Sequence, residues 1–276
     1  MMDMSTPNYE QISGDIRIVG YLKTQGGGHG EIQKSIYNST SISAIAKPYI
    51  TREDNFYRAI LPSPLSLHTC RYMGSHISEG KRWLLLQDQT QGMSSPCILD
   101  IKLGTRSFEI GASPEKVKAQ LDHMKNTTTS THAIRIIDAR MRKDNTVTYK
   151  CDRVQGHNLN IKEVEKLLRT FFPGKRKHEF IEQICKIRSA LLETIEIFPK
   201  MRLYSASILA VYDGDSDAPM RVTIIDFAHA YLDVDVEGGD STDPFYDDNA
   251  IKGLQSLIDL LIHPMPSHEK EKLERN

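Results

Sequence analysis

Apolar and polar positions alternate with a period of two at residues 16–22 and 42–46, which predicts two strands near the start of the chain. Between them lies a turn-rich stretch holding Gly26-Gly27-Gly28-His29-Gly30. A helix is expected over 53–61, stopped by Pro62 and Pro64, followed by short apolar strands at 83–87 and 97–103. Ser113-Pro114-Glu115 combines a capping serine, a proline at the first helical position and an early acid. It predicts a helix to about Lys125, ending in the polar cluster 127–131. Segments 135–141 and 146–151 read as paired strands around Lys143-Asp144-Asn145. Asn160 with Glu163 three residues on signals a capped helix that carries Ile161, Val164, Leu168 and Phe171 on one face. Phe180, Ile184, Ile187, Leu191 and Ile195 mark a longer helix. Strands at 203–212 and 221–227, joined by the acidic loop 213–219, and an amphipathic helix at 250–262 complete the pattern. The expected fold is α+β and bilobal: a mobile segment 1–15, a strand-rich lobe 16–90, a larger mixed lobe 91–265 and a charged tail 266–276, with the lobes joined near 87–92.

Composition adds little to this picture, because 39% hydrophobic and 26% charged residues are ordinary for a globular protein. Charge distribution adds more. The net charge of −1 argues against a nucleic-acid binder held by global electrostatics. Residues 102–157 carry 11 Lys and Arg against 6 Asp and Glu, whereas residues 204–248 carry 1 basic against 11 acidic. A basic segment suits an anionic ligand, and an acidic one suits a divalent cation or plain solvation. The stretch 233–248 lacks the spacing and terminal glutamate of an EF-hand and reads as a solvated loop. Cys70, Cys97, Cys151 and Cys185 lie far apart without zinc-ligand spacing, as expected of reduced thiols. No apolar run is long enough for a membrane span, and the first residues lack a signal-peptide pattern, so a cytoplasmic or nuclear, monomeric protein is expected.

Two segments hold candidate chemistry. Asp226 ends the apolar run Ile224-Ile225, where a buried carboxylate is costly unless a cation or donors accompany it. Asp100 and Lys102 stand two apart in a strand and share one face, while Cys97, Leu99, Ile101 and Leu103 take the other. From alternation alone, an ordinary surface ion pair explains Asp100 and Lys102 better than a ligand site does.

The full strings are more specific. Pro96, Asp100, Lys102 and Gly104 fill every fixed position of a Pro-x-x-x-Asp-x-Lys-x-Gly motif, continued by Thr105-Arg106. Ala206-Ser207-Ile208-Leu209 and Ile225-Asp226-Phe227-Ala228-His229 follow in order, and Lys47 with Glu53-Asp54-Asn55-Phe56-Tyr57 precedes them. This set resembles the inositol polyphosphate kinase family over roughly residues 20 to 263.

The resemblance implies an ATP-dependent kinase using Mg²⁺, with Asp100, Lys102 and Asp226 as the catalytic residues. Lys47, held by Glu53, is expected to reach the nucleotide phosphates. Gln87, Asp88 and Gln89 would form the hinge beside adenine, and Asp100 would contact ATP at its ribose. Asp226 would bind Mg²⁺ with help from Ser207. Lys102, Lys116, Gln120, His123, Arg153 (placed on the second strand of the 135–151 pair) and His229 would hold the inositol phosphate. In a helix, Lys116, Gln120 and His123 fall on one face.

The context of Tyr204, Tyr212-Asp213-Gly214 and Asp226–His229 looks most like the hexakisphosphate kinases of the family. Multikinases and trisphosphate 3-kinases, which act on a hydroxyl, are the alternative, and an inactive inositol-phosphate scaffold is the alternative from another class. A protein kinase is disfavoured, since His-Arg-Asp and Asp-Phe-Gly are both missing. The Gly26–Gly30 run fits neither G-x-G-x-x-G nor a P-loop, and Gly174-Lys175-Arg176 lacks the Ser or Thr that a P-loop needs.

Overall fold

Two antiparallel five-stranded sheets form the frame of the computed structural model, which describes residues 16–21, 33–37, 43–233 and 249–263. The first comprises β1 (Ile16–Tyr21), β2 (Gln33–Tyr37), β3 (Ser43–Pro48), β4 (Tyr72–Ser78) and β5 (Lys81–Gln87), in the order β1-β2-β3-β5-β4. Neither β2 nor β4 was legible. The apolar pattern of β4 is broken by Gly74, whose φ of +90° accompanies a register shift against β5. Helix α1 (Thr51–Ile60) links β3 to a short 3₁₀ turn at Pro64–His68.

The second sheet holds β6 (Pro96–Leu103), β7 (Ile134–Lys143), β8 (Thr146–Cys151), β10 (Ser207–Asp213) and β11 (Arg221–Ile225), in the order β11-β10-β6-β7-β8. The two-residue strands β9 (Arg202–Leu203) and β12 (Ala230–Tyr231) pair separately. Helices α2 (Pro114–Met124), α3 (Thr128–His132), α4 (Arg153–Asn158), α5 (Ile161–Phe171), α6 (Lys175–Ile197) and α7 (Ala250–Ile262) complete this lobe. Ser113 caps α2 by accepting from the Lys116 amide, and Asn160 with Glu163 forms the expected capping box on α5. Among the described residues no helix is long and apolar enough to cross a membrane.

Cys97, Leu99, Ile101 and Leu103 are fully buried on one face of β6, so the opposite face carries Asp100 and Lys102. The main core joins α1 and β5 to the second sheet and its helices, and a smaller cluster of Ala44, Ala46, Met73, Trp83 and Leu85 covers the other face of the first sheet. The two lobes therefore share apolar contacts.

Three expectations need correction. The strand expected at 203–212 is interrupted, because Ser205 takes a left-handed φ of 62° and separates β9 from β10. The polar cluster after α2 forms α3, with Thr128 and Thr129 buried. Arg153 is not on β8, which ends at Cys151: Asp152 accepts from the Val154 and Gln155 amides and starts α4 with Arg153 as its first residue. The Gly26–Gly30 run, segments 1–15 and 266–276, and residues 234–248 of the acidic stretch lie outside the described residues.

Candidate active site

The ladder of the second sheet puts the motif residues side by side. Ser207 on β10 faces Ile225 on β11 and Lys102 on β6, and Lys102 faces Arg135 on β7. Asp226, one residue past β11, adopts a left-handed φ of 65°, a conformation that Asp tolerates better than most residues. The chain therefore turns out of the sheet there. Phe227 drops into the core, 4.6 Å from the Phe56 ring and edge-on to Tyr57 at 5.0 Å. These contacts bind α1 to the end of β11.

Lys47 closes the join from the first sheet. Its ammonium donates to Glu53 Oε1 at 2.9 Å and Asp226 Oδ1 at 3.1 Å, and the Phe227 amide also donates to Glu53 Oε1 at 3.2 Å. Burial alone would lower the Lys47 pKa, but the Asp226 and Glu53 charges outweigh it and hold the ammonium well above the ordinary lysine range. Burial pushes Glu53 up, against Lys47. Asp226 stays below the usual carboxylate range, because Lys47 and Lys102 overcome its desolvation. Sequence placed Lys47, Glu53 and Asp226 in one site, and the structure brings all three within hydrogen-bonding distance.

Asp100 and Lys102 occupy the middle of the same face. Burial, with Asp226 nearby, pushes Asp100 up to about 7, although the Ser207 hydroxyl and Lys102 favour its ionised form. Burial and Arg135 push Lys102 down. A bulge next to Asp100 adds neighbours that strand alternation does not predict. Asp100 faces Asp138, whereas Ile101 faces Ile136, leaving Ile137 as the extra residue of β7. In an unbroken strand Arg135 and Asp138 would point to opposite faces. The bulge returns Asp138 and Arg140, paired at 3.3 Å, to the face of Arg135 and Lys102. All three side chains on β7 are buried. A signal was present in the sequence, since charged residues recur through the apolar segment around Ile134, Ile136 and Ile137.

Two of the residues expected to form the hinge, Asp88 and Gln89, turn their side chains inward. The Asp88 carboxylate accepts from the Ser43 hydroxyl at 3.1 Å and from the Thr90 amide and hydroxyl at 2.8 and 2.6 Å. Gln89 donates to the Gln87 carbonyl at 3.4 Å, and its own carbonyl accepts from Arg221 at 2.6 Å. These side chains brace the turn after β5.

The wall opposite is basic. Lys116 pairs with Glu109 at 2.8 Å, Gln120 accepts from the Ser107 hydroxyl, and His123 stacks on His157. Arg153 and Arg135 both bear on Lys102 and on His157. His229 sits below the ordinary imidazole range through burial, Arg52, Lys102 and Lys116, against the pull of Glu109. Arg135 Nε, His157 Nδ1, His229 Nδ1, Asp100 Oδ1 and Glu53 Oε2 are buried without a hydrogen-bond partner. Two surface hollows, one of about 580 Å³ beside α6 and one of about 450 Å³ beside Trp83, contain none of these residues.

These oxygens suit Mg²⁺. They are hard donors, and among the described residues no three His, Cys, Asp or Glu gather as a self-sufficient cage. Magnesium commonly takes one or two protein carboxylates and leaves its other positions to phosphate oxygens and water. Asp226, with Ser207 and Asp100 beside it, is such a partial donor set.

Residues 83–262 match the family described as inositol polyphosphate kinase. The chain belongs to the inositol polyphosphate kinase family. It is 31% identical over 252 residues to mouse inositol hexakisphosphate kinase 3, a match covering 80% of this chain and 62% of that protein. It is 32% identical over 163 residues to Saccharomyces cerevisiae inositol hexakisphosphate kinase 1, covering 53% of this chain and 15% of that one. The chain thus spans less than two thirds of the length of these relatives. Its fold matches that of the S. cerevisiae inositol phosphate multikinase Ipk2, solved with ADP and Mn²⁺. The TM-score is 0.64 at 24% identity, covering 79% of this chain and 97% of that one. Within this family frame the matched region begins at Trp83 on β5, so it includes Asp100, Lys102, Ser207 and Asp226, whereas Lys47 and Glu53 lie upstream of it.

Proposed function

We propose that this chain transfers the γ-phosphoryl group of ATP to an inositol polyphosphate, with inositol hexakisphosphate as the acceptor. The observation that carries this reading is the Lys47–Glu53–Asp226 cluster standing against Asp100, Ser207 and Lys102 on one side and a basic wall on the other. The two sides differ in chemistry. Carboxylates gather where a cation-bound nucleotide would sit, and Lys102, Arg135, Arg153, Lys116 and His229 gather where a polyanion would. Lys102 lies between them, where a compact cation can neutralise charge that develops on a phosphoryl group in flight. Lys47 is held ready for phosphate oxygens, and Glu53 fixes its position. Bound Mg²⁺ would supply charge neutralisation on the nucleotide phosphates, held by Asp226 with Ser207 beside it.

The acceptor follows from the chemistry and from the relatives. Inositol hexakisphosphate has no free hydroxyl, so its nucleophile is a phosphate oxygen already ionised near neutral pH and needs no general base. The curated relatives named above are hexakisphosphate kinases. A hydroxyl acceptor, as in a multikinase or a 3-kinase, benefits from a carboxylate that takes its proton. Asp100, with its unpartnered Oδ1, is the group placed to do so, which keeps that reading second.

The test is incubation with ATP, Mg²⁺ and a panel of inositol phosphates, with products resolved chromatographically. Conversion of inositol hexakisphosphate to a pyrophosphate supports the reading. Conversion of hydroxyl-bearing inositols alone moves the chain to the second reading, and tight binding with no turnover of any acceptor moves it to an inactive scaffold.

A further inference from the structure

We propose that Glu109 is a specificity-determining residue of the basic wall: its carboxylate stands where a substrate phosphate would seat and weakens the wall's preference for the most highly phosphorylated inositols. This rests on the inositol-polyphosphate reading and concerns how that site ranks its acceptors.

Glu109 lies in the loop between β6 and α2, and groups from three elements converge on it. Lys116 on α2 donates to its Oε1 at 2.8 Å. Arg52 from α1 and His229 from the segment after β11 act on the same carboxylate, and with Lys116 they hold it below the ordinary carboxylate range. Arg52 and Lys116 are exposed, whereas Glu109 and His229 are half-buried. The cluster is therefore open to a ligand arriving from solvent.

The loop that carries Glu109 is fixed from below and from the side. The buried Arg106 guanidinium lies between the Phe108 and Tyr204 rings, 4.5 and 4.2 Å from their centroids. It donates to the Phe108 carbonyl at 3.1 Å and to the Glu109 carbonyl at 3.4 Å. The Ile110 amide donates to the Tyr231 hydroxyl at 3.2 Å, and Arg52 covers the same ring at 4.4 Å. Arg52 also donates to the Ala228 carbonyl at 3.2 Å, beside His229. The backbone of Glu109 is thus anchored to the parts of the site that its carboxylate faces.

A carboxylate among cations can act on a polyanion in two ways. If it only orients Lys116, it helps every acceptor alike. If it occupies the cation-lined space, an arriving phosphate must break the Lys116 pair and then face a like charge. The second action is favoured here. The pair is exposed on both sides, 51% and 38%, and such pairs hold their members weakly. The charge, by contrast, reaches Lys116, Arg52 and His229 together. A like charge set against one class of ligand is a means of discrimination by repulsion. The repulsion grows with the number of phosphates, while a hydroxyl at the same position donates to the carboxylate. Lys102, Arg135 and Arg153 lie further along the wall and keep their grip on the other phosphates. Inositol hexakisphosphate remains an acceptor, with its affinity held below what the cations alone would give.

Calorimetric titration of the full chain without nucleotide tests this, with inositol hexakisphosphate and an inositol trisphosphate as the two probes. Glu109→Gln keeps the size of the side chain and an oxygen that can accept from Lys116, and removes the charge. The variant is expected to bind the hexakisphosphate about three- to tenfold more tightly than wild type, with a change below about twofold for the trisphosphate. Its affinity for the hexakisphosphate should also fall more steeply with added salt. Glu109→Ala removes the same charge and should shift the preference the same way, and it carries the test if melting curves show that Glu109→Gln is not folded. Weaker or unaltered hexakisphosphate binding in the folded variants, or an equal change for both probes, would overturn the assignment and leave the proposed function intact. Failure of folded wild type to bind either probe would overturn the ligand reading instead.

Discussion

Asp226 and Lys47 show how much of a site can rest on single atoms. Asp226 accepts from Lys47 through Oδ1 while its side chain remains 41% exposed, so the same carboxylate touches the structural ion cluster and the cleft. Asp226→Asn keeps the shape and removes the charge. Steady-state kinetics should show turnover lower by at least ~10²-fold with the melting temperature little changed. Near-normal turnover of the folded variant would remove Asp226 from the site. Lys47→Ala has a second consequence, because it strands Glu53, which is fully buried, without its cation. ATP use should fall while inositol-phosphate binding measured without nucleotide stays near wild type. Stability should drop by roughly 3–5 kcal/mol, as for removal of one partner from a buried ion pair. Adding Glu53→Gln should restore much of that stability but none of the ATP use, which chemical unfolding and kinetics on the double variant would separate.

At the scale of elements, the site depends on how closely α4 rides on β7. Gly156 is the contact, and α4 in turn carries Arg153 and His157 to the basic wall. Gly156→Ala must push the helix off the strand, at a cost of about 1–3 kcal/mol by analogy with overpacked cores. Because the proposed nucleotide side is built from β3, α1, β6 and the end of β11, the lesion should raise the KM for the inositol phosphate several-fold and leave the KM for ATP nearly unchanged. Equal rises in both constants would show that α4 serves the whole lobe instead of one wall. The bulge in β7 belongs to the same scale, since one extra residue, Ile137, decides which face Asp138 and Arg140 occupy.

Across the whole molecule, a net charge of −1 conceals the separation that matters. Of the basic residues between 102 and 157, Lys102, Lys116, Arg135 and Arg153 stand near His157 and His229, whereas Arg140 and Lys143 pair with Asp138 and Asp215. Lys116 stands at the rim of the wall in an ion pair with Glu109, with side chains 51% and 38% exposed, a pairing that adds little to stability. Lys116→Ala should therefore leave the melting temperature unchanged and raise the KM for the inositol phosphate about tenfold. Added salt should weaken wild-type binding, and less steeply in the variant, as the salt slope of the binding constant would show. Equal slopes would place Lys116 outside the anion field.

How much was legible depends on the range of the interaction that fixed each feature. Helix α7 was readable to the residue, as were the capped start of α5 and the start of α2, because capping and amphipathic spacing act within one or two turns. Asp100 and Lys102 sharing a face followed from strand alternation, and the assembly of Lys47, Glu53 and Asp226 followed from motif resemblance. Local pattern could not yield β2 or β4, whose few apolar residues gain their strand from neighbours in the sheet. Nor could it give the left-handed turns at Ser205 and Asp226; at Asp226, burial of Phe227 against α1 and the pull of Lys47 hold an otherwise disfavoured backbone. Arg135, Asp138 and His157 were missed for the same reason. A bulge and a glycine contact between distant segments aim them, and only the assembled sheet brings those segments together. The sequence by itself determined the elements with strong local signals and the chemical types available. Tertiary structure decided which charges face one another, because that depends on register, and register is a property of paired strands, not of either strand alone.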